Sequence, residues 1–182
     1  MSACVERPYS SAAVCQAAGL SRATFDAWLL RHYLPLPPGP GTGRERRFSA
    51  NEAILVAIAA QLTKSRLSIT AAGHAVEFLN GDTDGLWPRA QFEANWLLVI
   101  AQSSAPAKVD APTSSIHAAL VRLESLLDLE RTIEDWDFSV MVIVKVSTIA
   151  RRTLNRLAAP APMTAASPAP DTKRITRIRI AK

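Results

Sequence analysis

Gly19 is the residue that most restricts how the first part of this 182-residue chain can fold. Before it, Ser11-Ala12-Ala13-Val14-Cys15-Gln16-Ala17-Ala18 is an alanine-rich run of high helix propensity with a serine available to cap it. Gly19 ends that helix, because a helix C-terminus favours a left-handed residue and glycine adopts that conformation without a Cβ penalty. Leu20 plugs the corner, and Ser21 caps a second helix over residues 22–33. In this second helix Phe25, Trp28 and Leu29 fall on one face at i, i+3 and i+4, so they pack inward against the first. Arg22, Ala23, Thr24, Asp26 and Arg31 are left on or near the outer side.

Two helices joined by a tight glycine turn, the second with a small polar outer face, form a helix-turn-helix arrangement. Such a second helix sets its N-terminal residues against base edges and its positive dipole end toward phosphate. The next segment, LPLPPGPGTGRERRF over residues 34–48, has four prolines and three glycines, which rule out a helix interior. It reads either as an inert linker or as a β-hairpin wing with short strands at 34–36 and 46–48. In a wing, Arg44, Arg46 and Arg47 lie beside the second helix and contact phosphates or a minor groove. Ser49-Ala50-Asn51-Glu52 then satisfies the capping-box pattern and opens a helix over 50–64, with Ile54, Leu55, Ile58, Ala59 and Leu62 as its apolar repeat. Ser68 caps a fourth helix over 69–79, which Asn80-Gly81 stops.

Residues 9–79 resemble the MerR-type winged helix-turn-helix domain. The resemblance rests on the Ala18-Gly19-Leu20-Ser21 turn, Thr24-Phe25 with Trp28, Leu34-Pro35 after the second helix, Arg47-Phe48-Ser49 closing the wing, and Leu62 followed by Leu67-Ser68. It implies that Arg22, Ala23 and Thr24 start the DNA-reading helix, with Trp28 beside them and Arg46 and Arg47 in the wing; together with Ser21, Arg31 and Arg44 these residues make the candidate DNA-binding surface. Within that set Trp28 stands where the family has an aromatic near the DNA backbone. Asp26 departs from the pattern, since the family often has a basic residue there, and the wing is longer and richer in proline than usual.

Beyond the turn at 81–85 the composition changes. Residues 96–101, WLLVIA, read as a strand buried on both faces, and 138–146 as a second, rich in β-branched residues. Between them Ser115 is expected to cap a helix over 116–130, with Ile116, Leu120, Leu123, Leu126 and Leu127 inside. A long helical connection would allow the two strands to run parallel. Ser147 is expected to cap a basic helix over 148–157 bearing Arg151, Arg152 and Arg156. The expected fold is therefore mainly α with a small α/β part. A flexible start at 1–8 precedes a winged helix-turn-helix at 9–80. A small α/β dimerisation or effector domain with two buried strands follows at 86–158, and an Ala/Pro linker with a basic tail occupies 159–182. The tail alternates charge with isoleucine and suits a nucleic-acid arm, an edge strand or a solubilising extension.

Charge is uneven along the chain. Residues 1–80 carry 8 basic and 5 acidic side chains, residues 81–150 carry 5 and 10, and residues 151–182 carry 8 and 1. Both ends suit an anionic partner and the middle does not. Cys4 and Cys15 have no ligand partners at metal spacing and read as reduced thiols. His32, His74 and His117 are scattered with no nucleophile at a recognisable elbow, and GPGTG at 39–43 lacks the Lys-Ser/Thr of a phosphate loop. The acidic Glu130, Glu134, Asp135 and Asp137 read as a solvated loop. No enzyme, cofactor, metal site, signal peptide or membrane span is expected, and a cytoplasmic location is the default.

The leading expectation is a transcription regulator that binds double-stranded DNA as a homodimer, with any effector unassigned. Two others stand beside it. One is a recombination or packaging accessory protein of a mobile element, since excisionases and small terminase subunits use similar winged domains. The other is an interaction module that does not bind DNA.

Overall fold

The computed structural model describes residues 8–37, 45–81, 86–93, 96–102, 116–122, 126–134 and 140–159. Strand β1 (Tyr9–Ser10) leads into helix α1 (Ser11–Ala18), where the Ser10 hydroxyl accepts from the Ala13 N–H at 3.2 Å. Gly19 closes α1 at φ 66° and ψ 43°. Its N–H donates to Gln16 O at 3.3 Å and that of Leu20 to Cys15 O at 2.9 Å, the paired bonds of a Schellman cap. Helix α2 (Arg22–Leu30) starts at Ser21, whose hydroxyl accepts from Thr24 N at 3.0 Å.

α2 ends before residue 33 because His32 turns left-handed, at φ 54°. The Tyr33 N–H then bonds back to Trp28 O at 3.0 Å, and Leu34 drops into the core. The expected strand at 34–36 does not form. Strand β2 (Arg47–Phe48) instead pairs antiparallel with β1, Tyr9 opposite Phe48 and Ser10 opposite Arg47. Pro35 and Pro37 offer no N–H for a ladder, whereas Tyr9 and Ser10 do.

Helix α3 (Ala50–Lys64) carries the expected capping box, with Ser49 N–H donating to Glu52 Oε2 at 2.7 Å and Glu52 N–H to Ser49 Oγ at 3.2 Å. Every residue from Glu52 to Ala60 is buried, so α3 is the central helix rather than an amphipathic surface one. It ends at Lys64 with Ser65 as C-cap, and the chain then turns at Arg66, a non-glycine residue at φ 69°, after which Leu67 N bonds to Leu62 O at 3.2 Å. An exposed arginine in this conformation opposes its own cap. Arg66→Gly is expected to raise stability by roughly 0.5–1 kcal/mol, measured as a higher urea midpoint at unchanged slope. A lower midpoint would show that the left-handed arginine is not strained.

Helix α4 (Ile69–Asn80) is capped by Ser68, which accepts from Ala71 N at 3.1 Å. A short helix α5 (Leu86–Ala90) follows, and Asn51 ties it to the start of α3. The Asn51 Oδ1 accepts from Trp87 Nε1 at 2.8 Å and from Gln91 Nε2 at 3.1 Å.

The remaining elements are β3 (Trp96–Gln102), β4 (Ile116–Arg122), helix α6 (Leu126–Ile133), β5 (Val140–Lys145) and helix α7 (Val146–Ala158). They correct two expectations. Residues 116–122 form a strand, and of the helix anticipated over 116–130 the stretch 126–130 falls within α6, with 123–125 outside the described residues. Among the described residues the sheet has three strands, ordered β4-β3-β5, and both pairings are antiparallel rather than parallel. Ile116, Ala118 and Leu120 alternate onto the core, and pairing with β3 outweighs the weak helix preference of that segment. The central strand β3 has Leu98, Val99, Ile100 and Ala101 fully buried, as its apolar run requires. α7 begins one residue before Ser147, at Val146. Ser147 is therefore a first-turn residue, and Lys145, at the N-cap, makes no side-chain cap bond.

Mixed α/β with small antiparallel sheets is thus the fold. One buried apolar cluster runs from Val14, Phe25 and Ile58 through Trp87, Leu98 and Ile100 to Val146 and Ala150. α7 packs on both α1 and α3, and α4 packs on β4. The two halves of the chain therefore share a core.

Candidate nucleic-acid interface

The surface built by α2 follows from which of its residues the core claims. Phe25 is fully buried, its ring 5.5 Å from that of Phe48 and tilted by 54°, which fastens α2 to the β1–β2 ladder. Trp28 is only 8% exposed and belongs to the same cluster. The inward packing expected of Trp28 is what the fold displays, and its ring is withdrawn from the surface assigned to it by the family resemblance. Ser21, Arg22, Ala23, Thr24, Asp26 and Arg31 are all exposed. At the helix start, the Ser21 and Thr24 hydroxyls lie 2.7 Å apart.

Arg22 and Asp26 lock to each other one turn apart. Arg22 Nε donates to both Oδ1 and Oδ2 of Asp26 at 2.9 Å, with the two side chains 54% and 51% exposed. The other arginines differ in how far the protein engages them. Arg46 lies over the Phe48 ring, 5.3 Å from its centre, and donates to Pro37 O. It therefore joins the two ends of the proline-rich segment and is half-buried. Arg47 is exposed, donating to Pro8 O at 3.1 Å and meeting Glu45 at 3.2 Å. Arg44 lies outside the described residues.

Two further cations sit at the glycine corner and were not anticipated there. Arg156, in the last turn of α7, donates through Nη1 to Ala17 O at 2.9 Å. A Cβ at Gly19 would come within 3.1 Å of Lys64 Nζ. Both charges stand at the C-terminal end of α1, where the helix dipole favours them. The basic composition of α7 was the available signal, but nothing in the local pattern shows that it reaches a residue 139 positions earlier.

Cys15 is buried beneath this corner, and burial pushes its thiol upward, Arg22 opposing that shift and Asp26 adding to it. A raised thiol within the core is a poor nucleophile. Among the described residues no group of three His, Cys, Asp or Glu side chains converges to hold a metal ion. No helix among them is long and apolar enough to cross a membrane.

Compared with known proteins, the chain matches no protein-family model, and no curated protein matches it in sequence.

Proposed function

We propose that this chain is a sequence-specific DNA-binding transcription regulator of the MerR-like winged helix-turn-helix type. The observation that carries the reading is the division of α2. Its N-terminal residues Ser21, Arg22, Ala23 and Thr24 are exposed together, while Phe25 and Trp28 hold the helix on the core. A helix anchored in this way offers its free N–H groups and short polar side chains to a groove. Arg47 at the foot of the β1–β2 ladder and Arg31 at the far end of α2 would add phosphate contacts, which position rather than specify. In this reading the β1–β2 pair forms the base of a wing, and residues 38–44 lie outside the described residues. A single short recognition helix makes few base contacts, so a homodimer reading two half-sites is part of the proposal.

Genome-wide mapping of bound sites tests it: binding should concentrate on short two-fold-symmetric sequences near promoters. Sites scattered without a shared sequence, or none, would remove the regulator reading. A binding series in salt refines it. Arg47→Ala is expected to weaken binding to all sequences alike and to reduce the slope of log K against log salt by about 0.9, the loss of one phosphate contact. Arg46→Ala should leave that slope nearly unchanged and lower thermal stability instead, because its guanidinium is engaged with Phe48 and Pro37. A slope change confined to Arg46→Ala would reverse these two assignments.

A further inference from the structure

We propose that the cleft between the turn after α5 and the first three turns of α7 binds a small organic anion with an apolar body, of the aromatic or medium-chain carboxylate class. The cleft holds about 340 Å³, and its lining combines the apolar Phe92 and Leu154 with the polar or charged Gln91, Lys145, Ser147, Arg151 and Asn155. A volume of that order suits a ligand of ten or so heavy atoms (roughly 300–1,000 Å³ is usual for small-molecule sites).

Four observations favour an anionic ligand there. Ser147 is 8% exposed, lines the cleft, and its hydroxyl makes no hydrogen bond among the described residues. Since no buried side-chain oxygen or nitrogen among the described residues is left without a partner, this Oγ opens onto the cleft, where it can offer a ligand a donor and an acceptor. Lys145, at the N-cap of the 13-residue α7, supplies no side-chain acceptor to the first-turn N–H groups. Those N–H groups form the positive end of the helix. Lys145 and Arg151 make no ion pair among the described residues. Finally, Phe92 is 74% exposed beside these charges, an apolar ring that a ligand with a hydrocarbon body would cover.

The two apolar lining residues decide between ligand classes. Inorganic phosphate or a nucleic-acid backbone would satisfy the cations and leave Phe92 and Leu154 in water. A carboxylate on a short chain or ring satisfies both sides, with its oxygens toward Ser147, Lys145 and Arg151.

This site goes beyond the DNA-binding reading, and its test contains no DNA. The full chain labelled with ¹⁵N is titrated with octanoate, and in parallel with octanamide and inorganic phosphate, at millimolar concentration. Octanoate should shift the Ser147 and Arg151 amides saturably, with both controls at least about tenfold weaker. Lys145→Gln and Arg151→Gln, both at exposed positions, should each weaken octanoate about tenfold while the rest of the spectrum is unchanged. Ser147→Ala should weaken it as well. No saturable shift with octanoate, equal binding of phosphate, or affinity unaffected by the two glutamine variants would each overturn the proposal.

Discussion

Gly73→Ala is expected to destabilise the protein by about 3 kcal/mol, although alanine is the better helix former by about 1 kcal/mol. Gly73 lies within α4, where it is buried and has ordinary helical backbone. A Cβ built there would lie 2.2 Å from Tyr33 O and 3.3 Å from Tyr33 C. Those are backbone atoms in the segment that leaves α2, so no side-chain rotation relieves the contact. Either α4 moves outward or the segment at 33–36 is displaced, and Leu34 leaves the core with it. At roughly 2–4 °C per kcal/mol for a chain of this size, the melting temperature should fall by about 6–12 °C. The sign is the test. A freely exposed mid-helix glycine would gain stability on conversion to alanine, so a rise in melting temperature would show that the close approach of α4 to Tyr33 does not exist in solution.

That contact also shows why half of this fold was readable in the sequence and half was not. In the first half the helices begin at serines whose side chains cap the next turn: Ser10, Ser21, Ser49 and Ser68 each accept the expected backbone N–H. Capping is a local interaction over three residues, so sequence spacing carries it. The Gly19 corner is local for the same reason. Gly73, by contrast, shows nothing in its own neighbourhood to reveal that a turn 40 residues earlier, at Tyr33, requires its bare Cα. The segment at 116–122 failed in a related way. Its Ile, Ala and Leu content suits a helix, while its period-two alternation onto the core is decided by seven pairings with β3. Trp28 and Arg46 divide likewise. The inward face of Trp28 follows from its spacing to Phe25, but the stacking of Arg46 on Phe48 depends on how the chain crosses back from the proline-rich segment.

The candidate surface inherits the same division. Its local component, the exposed start of α2, follows from the spacing of Phe25, Trp28 and Leu29. Its nonlocal component, Lys64 and Arg156 flanking Gly19, follows only from α3 and α7 packing on α1. α7 thus carries two groups of side chains: Lys145, at its N-cap, with Ser147 and Arg151 line a cleft, and Arg156 holds the end of α1.

On the proposed DNA-binding reading, Arg22→Ala and Asp26→Asn are expected to move affinity for random DNA in opposite directions while both lower the ratio of specific to random binding. Asp26 holds the Arg22 guanidinium through Nε alone, and Arg22 makes no other hydrogen bond among the described residues. The terminal nitrogens of Arg22 are therefore available to a base edge while the carboxylate fixes their direction. Because both side chains are more than half exposed, the pair contributes little to folding, and neither substitution should shift the melting temperature appreciably. Removing Arg22 should cost about 1–3 kcal/mol at the preferred site, on the order of 10- to 100-fold, and far less on random DNA. Removing the Asp26 charge takes a negative group away from the phosphates, so affinity for random DNA should rise, by a few-fold at low salt. The ratio of specific to random binding should nevertheless fall in Asp26→Asn, since an arginine without its carboxylate partner samples more directions and loses the preorganised approach. The informative quantity is that ratio, measured at one salt concentration for all three proteins. If Arg22→Ala lowers both affinities equally, Arg22 contacts phosphate only, and sequence reading must pass to Thr24, Ala23 and the N–H groups at the start of α2.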